Sequence, residues 1–227
     1  MHAAIQAHAY KRLRLMITPS LTCPAGVSVS CASEVPAVNT GSVTTTDNCG
    51  GIVTVTHDGD AITNQTCANR FTLTRTYRAT DACGNSATCT QVITVNDVTP
   101  PTITCPANTT VSCVNEVPAV NTGAVITADN CGGVVTVTHV GDVMTGQGCV
   151  NNFTLTRTYL ATDACGNTAS CTQIITVNDQ IPPVALCQNL EIDFGSGTEV
   201  TITPEQIDNG STDNCGGLLT FSLSQTV

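Results

Sequence analysis

Short runs in which apolar and polar residues alternate run through the whole chain. In IVTVTH the side chains of Val53 and Val55 share one face, in FTLTRTY those of Phe71 and Leu73, and in QVITVND those of Ile93 and Val95. Successive side chains of a strand point to opposite faces, so this two-residue period predicts half-buried β-strands. Gly, Asn, Asp and Pro bound each run, and these residues supply the backbone geometries of turns. No helical period recurs along the chain. Only Thr203–Gln206 (TPEQ) carries a helix-start signature, a Thr cap followed by Pro at the first position and Gln at the third, and it predicts a single turn. Strands of about five or six residues separated by such turns predict an all-β protein made of β-sandwiches.

The strand pattern itself repeats. Cys23, Cys31, Cys49, Cys67, Cys83 and Cys89 recur as Cys105, Cys113, Cys131, Cys149, Cys165 and Cys171, a period of 82 residues. Self-similarity at a fixed period marks a tandem array. SEVPAVNTG returns as NEVPAVNTG, and FTLTRTY and ATDACGN return unchanged. The predicted boundaries are an N-terminal extension at 1–18, complete repeats at 19–98 and 99–180, and an incomplete third repeat at 181–227, which holds Cys187 and Cys215. In the extension, Leu13, Leu15 and Ile17 alternate with Arg12, Arg14 and Met16 and predict a lone strand. The connectors from Asn96 to Pro101 and from Asn178 to Pro183 end in paired prolines, which favour extended backbone, so the expected arrangement is a rod.

Composition narrows the class. The chain has no Trp, 3% aromatic and 11% charged residues, too little for one deep core but suited to small domains. Fourteen cysteines then read as disulfide staples formed in an oxidising, extracellular compartment. The sequence contains no Cys-x-x-Cys pair, which argues against metal–thiolate chemistry. A net charge of −10 excludes nucleic acid and anionic membrane as natural partners, and no apolar run is long enough for a membrane span. Lys11, Arg12 and Arg14 follow a weakly apolar stretch, the reverse of a signal peptide, so the start reads as internal to a longer protein.

The segments PPTITCPANTTVSC, ATDACGNTASCTQIITVND and PPVALCQNLEIDFGSG resemble the hyalin-repeat (HYR) family and the related Cys-rich repeats of very long bacterial surface proteins, among them gliding-motility-associated adhesins. The resemblance implies immunoglobulin-like sandwiches, an extracellular and adhesion-linked role, and for the bacterial proteins export by the type IX route. Six cysteines per repeat allow fifteen pairings. If the first strand of such a sandwich runs parallel to the last, Cys23 and Cys89 begin neighbouring strands. That leaves Cys31 with Cys83 and Cys49 with Cys67. The second repeat follows as Cys105–Cys171, Cys113–Cys165 and Cys131–Cys149, with Cys187 and Cys215 left unpaired or unresolved.

Candidate chemistry is sparse. Oxygen donors gather at the connectors, Asn96 with Asp97 and Asn178 with Asp179, and in the ATDACGN turns, Asp81 with Asn85 and Asp163 with Asn167. Hard oxygen ligands of this kind suit Ca²⁺, the one cofactor the sequence suggests. The competing reading is that Asp and Asn simply form turns by bonding their own backbone, and no DxDxDG loop is present. His57 and His139 end a strand, no activated nucleophile accompanies them, and the expectation is no catalysis. Arg75 and Arg157 interrupt an apolar face and predict strand-edge ion pairs. Asn64, Asn108, Asn152 and Asn209 lie in glycosylation sequons.

The functional expectation is an extracellular structural or adhesive repeat protein forming a stalk or filament at a bacterial cell surface. Its partners would be neighbouring repeats or further copies of itself. One alternative is a module that binds a surface glycan or protein, against which the scarcity of stacking aromatics speaks. Another is a fibre subunit that donates the Leu13, Leu15 and Ile17 strand to the incomplete third domain of the next subunit.

Overall fold

Strands form where the two-residue period is strongest. The computed structural model describes residues 18–48, 50–193, 195–197 and 199–224. The expected strand of Leu13, Leu15 and Ile17 lies outside the described residues, as does Cys49. The first repeat contains β1 (Ser20–Thr22), β2 (Val27–Val29), β3 (Thr44–Thr46), β4 (Thr54–Cys67), β5 (Arg70–Thr80) and β6 (Ser86–Asn96). The second contains β7 (Thr102–Thr104), β8 (Thr109–Val111), β9 (Ile126–Ala128), β10 (Thr136–Cys149), β11 (Asn152–Thr162) and β12 (Thr168–Asn178).

Each repeat has a four-stranded and a two-stranded sheet. The first repeat has the order β4–β5–β6–β2, with β2 parallel to β6 from Val27↔Ile93 to Val29↔Val95, and a separate antiparallel β1–β3 pair. The second repeat has β10–β11–β12–β8 and β7–β9 in the same arrangement. The chain is therefore all-β with tandem sandwich domains. The hairpin strands are longer than the sequence pattern predicts: β4 has 14 residues and β5 and β6 have 11 each. The extra length of β4 comes from GDAITNQTC, which is exposed from Asp60 to Thr66 and so shows no alternation, yet pairs with β5 down to Cys67↔Arg70. A register shift between His57 and Gly59 interrupts the ladder, and Gly59 takes φ +141°, a conformation that side chains disfavour.

The core is built on one face of β5 and β6. Phe71, Leu73, Ile93 and Val95 form a buried cluster against which Val29 and Val35 pack, and Phe153, Leu155, Ile175 and Val177 do the same with Val111 and Val117. Val43, Tyr77 and Ala79, with Val125, Tyr159 and Ala161 in the second repeat, are buried as well; the core is still small, and cystines supplement it. Cys23, just after β1, is bonded to Cys89 of β6, and Cys105 to Cys171, so one cystine ties the two sheets of each repeat together.

In the third repeat the predicted turn is α1 (Pro204–Ile207), capped as expected by Thr203, whose backbone N–H donates to Gln206 Oε1 at 3.0 Å. Isolated bridges join Val184 to Thr212 and Cys187 to Asp208.

Two compact units divide the chain, and they do not coincide with the sequence repeats. The first comprises residues up to Pro100 together with Asp129–Val134 and Asp163–Asn167; the second comprises Pro101–Ala128, Val135–Thr162 and the chain from Thr168 onward. The DNCGG and DACGN turns of the second repeat thus belong to the first unit.

Candidate functional site: the cystine-bearing loops

Within the first unit, two cystines connect cysteines that belong to different sequence repeats. Cys31 is bonded to Cys131 and Cys67 to Cys165, across sequence separations of 100 and 98 residues. Within the second unit Cys113 is bonded to Cys215, across 102 residues. Local hydrogen bonds aim these cysteines. The Glu34 carboxylate accepts from the N–H groups of Ser30 and Cys31 at 3.0 and 3.1 Å, and Glu116 does the same for Ser112 and Cys113. On the receiving side Asp129 accepts from the Cys131 N–H at 2.8 Å and Asp213 from the Cys215 N–H at 2.9 Å. A cystine that closes a loop of about 100 residues has a chain-entropy limit of about 4.7 kcal/mol.

These bonds correct most of the pairings expected from sequence. Cys31 joins Cys131 and not Cys83; Cys67 joins Cys165 and not Cys49; Cys113 joins Cys215 and not Cys165; Cys131 therefore does not join Cys149. Cys215, left unpaired or unresolved by the sequence, is bonded, whereas Cys83, Cys149 and Cys187 are free and exposed. The physical reason is that the expected pairings were confined to single repeats, whereas the turns that carry Cys131 and Cys165 fold into the first unit and meet Cys31 and Cys67 there.

The acidic residues divide into two groups. Asp81 is committed to its own turn: Oδ1 accepts from the N–H groups of Cys83 and Asn85, both at 2.8 Å, and Oδ2 accepts from the Asn85 side chain at 2.8 Å. The Asn85 amide, helped by backbone donors, holds the Asp81 carboxyl below its usual range. Asp163 repeats these bonds with Cys165 and Asn167; burial pushes its carboxyl up, and the Asn167 and backbone donors outweigh it to leave it lowered. Asp97 differs. It is 1% exposed, its Oδ1 accepts from the Thr99 N–H at 3.1 Å, and its carboxylate lies within 4.8 Å of ligand atoms of Asp129 and Cys131. Asp129 Oδ1 is buried and has no hydrogen-bond partner. Asp179 stands in the same relation to Asp213 and Cys215. Because Cys131 and Cys215 are in cystines, the donors left at each place are the paired carboxylates.

Of the residues expected to hold a cation, Asp97 and Asp179 face a second carboxylate, while Asp81 and Asp163 serve turns. Asn96 accepts from Arg70 Nε at 3.3 Å, and Asn178 is paired in register with Asn152. Sequence reading missed Asp129, Asp213 and Arg70. The Arg70 guanidinium donates to the carbonyl oxygens of Asp97 at 2.6 Å and Cys165 at 3.0 Å, beside the Cys67–Cys165 cystine.

Arg75 pairs with a carboxylate but not at a strand edge. It sits on the buried face of the inner strand β5, 4% exposed, and opposes Asp60 of β4 in register. Nε and Nη2 donate to the two Asp60 oxygens at 3.0 and 2.9 Å and Nη1 to the Pro36 carbonyl at 2.7 Å. His57 Nε2 lies 2.8 Å from the same Asp60, so the histidine completes a cross-strand network. Arg157, Asp142, Pro118 and His139 reproduce it in the second repeat.

A family model described as HYR-like domain with 4 cysteines matches residues 19–95 and 101–177. No curated protein matches the sequence. Similar solved structures include Drosophila N-cadherin EC1-4 at 10% identity and TM-score 0.33, covering 70% of this chain and 49% of that one. Another is protocadherin gammaB7 EC3-6, at 14% and 0.31, covering 77% and 54%. The protocadherin GammaB4 extracellular domain stands at 16% and 0.30, covering 77% and 36%. This chain thus spans about half or less of those chains, and scores this low support no inference about shared function. Among the described residues no helix is long and apolar enough to cross a membrane.

Proposed function

The chain belongs to the family of HYR-like domains with four cysteines, and from that premise we propose that it is an extracellular structural and adhesive repeat protein. We place it in a stalk or filament at a bacterial cell surface, without catalysis. The observation that carries this reading is the set of cystines Cys31–Cys131, Cys67–Cys165 and Cys113–Cys215, each linking cysteines of successive sequence repeats. The five cystines among the described residues suit an oxidising exterior. Covalent links between repeats resist a pulling force after hydrogen bonds have failed, which is what a load-bearing array needs.

Single-molecule stretching tests the reading. The 100-residue loop closed by Cys31–Cys131 should hide length until it is reduced, on the order of 340 Å at about 3.4 Å per residue. Oxidised and reduced chains that extend to the same length would contradict it.

A second reading, calcium binding at Asp97 with Asp129 and at Asp179 with Asp213, is favoured by the orphaned, buried Asp129 Oδ1. A cation there would give that oxygen a partner. Calcium should raise the melting temperature of the chain, and Asp129→Asn should reduce the rise. No heat of titration and no change in melting would end this reading.

A further inference from the structure

Asp129 and Cys131 fasten one turn of the second repeat to the rest of the first unit at two neighbouring points. The Cys131 sulfur is bonded to Cys31, and the Asp129 carboxylate faces Asp97, with ligand atoms within 4.8 Å. One side chain serves both points: Asp129 Oδ2 accepts from the Cys131 N–H at 2.8 Å, while Oδ1 is buried without a hydrogen-bond partner. Asp97 is itself 1% exposed, so two carboxylates meet away from water, where like charges repel strongly. We propose that a calcium ion between Asp97 and Asp129 controls the cystine Cys31–Cys131, and one between Asp179 and Asp213 the cystine Cys113–Cys215, calcium making each bond form more readily and resist reduction.

The cation acts by docking the turn. Bound to both carboxylates, it replaces their repulsion with attraction to one hard centre. The bond from the Cys131 N–H to Asp129 then fixes the sulfur two residues away. The Asn130 amide adds a contact at the same place, donating to Cys131 Sγ at 3.1 Å. The second unit repeats the arrangement: the Cys215 N–H donates to Asp213 at 2.9 Å and Asn214 to Cys215 Sγ at 3.1 Å. Cys67–Cys165 is built differently. Asp163 precedes Cys165 as Asp129 precedes Cys131, but its Oδ1 accepts from the N–H groups of Cys165 and Asn167 and its Oδ2 from the Asn167 side chain. Both oxygens are already bonded, so this cystine is indifferent to calcium.

Calcium carries no electrons in the step. One thiolate of the pair attacks oxidised glutathione and releases a glutathione thiolate; the partner thiolate then attacks the protein sulfur of the mixed disulfide and releases the second. Two electrons and two protons pass from the protein thiols to glutathione, which leaves as two reduced molecules. Linkage is reciprocal, so the cystine tightens calcium binding by the same factor that calcium favours the cystine, on the order of tenfold.

The inference rests on the calcium reading above. The test poises the full chain in glutathione buffers of increasing reducing strength, with calcium chloride or with a chelator. Acid stops exchange, and alkylation with mass spectrometry reads each cystine. With calcium, half-reduction of Cys31–Cys131 and Cys113–Cys215 should need a ratio of [GSH]² to [GSSG] about tenfold higher, while Cys67–Cys165 does not move. Asp129→Asn keeps an oxygen for the Cys131 N–H but turns an amide toward Asp97. It should remove the calcium effect at Cys31–Cys131 and leave it at Cys113–Cys215, which reports in the same molecule that the variant is folded. Equal shifts at all three cystines, or none, overturn the proposal, as does an Asp129→Asn chain that keeps the shift at Cys31–Cys131. Calorimetric titration of the oxidised chain separates the failures. Calcium binding without a selective shift ends the control of the cystines alone, whereas no binding ends the calcium reading as well.

Discussion

Arg75 shows how one residue can look misplaced in sequence and be well housed in the fold. A charged side chain 4% exposed needs a partner held in good geometry, and Asp60 supplies two oxygens while Pro36 supplies a carbonyl. Asp60→Asn would leave the guanidinium buried without a counter-charge. The expected loss is about 3 kcal/mol in chemical denaturation, at the low end for breaking a buried pair because the Asp60 side chain is 27% exposed. The hydrogen bond from Arg75, followed by that from His57, holds the Asp60 carboxyl below its usual 3.8, and Arg157 does the same for Asp142. A carboxyl lowered in the folded state stabilises above its unfolded value, and that contribution disappears as the pH falls through the lowered folded value. Melting temperature should therefore drop as the pH is taken from 3.8 downward, and should drop less steeply in Asp60→Asn. Parallel pH profiles for the two proteins would show that the pair adds nothing.

At the scale of elements, what could be read in the sequence depended on how local the cause was. FTLTRTY shows its phase because burial of alternate residues is a one-strand property, and Phe71 and Leu73 do face the core. TPEQ shows its turn because a cap is satisfied within four residues. The length of β4 was not legible, since the stretch from Asp60 to Thr66 is exposed and imposes no period. The candidate site was half legible for the same reason. Asp97 stands out beside a proline-bearing connector, but Asp129 precedes a Cys-Gly-Gly turn and looks like an ordinary turn residue until the fold brings the two together. Arg70 sits at the start of β5 with no pattern to mark it, and its acceptors lie as far away in sequence as Cys165. Cystine partners were the least legible, because Cys131 and Cys165 lie 100 and 98 residues from Cys31 and Cys67 and meet them only once the turns of one repeat fold into the unit of the other.

At the scale of the whole molecule, the stalk reading requires particular cysteines to be bonded. With small apolar cores in each complete repeat, the resistance to pulling that outlasts the hydrogen bonds comes from cystines that cross from one sequence repeat to the next. The most direct test is peptide mapping of the oxidised chain, digested without reductant at a pH low enough to stop thiol exchange. The account predicts linked peptides containing Cys31 with Cys131, Cys67 with Cys165 and Cys113 with Cys215. Linked peptides confined within single repeats, such as Cys31 with Cys83 and Cys113 with Cys165, would contradict it.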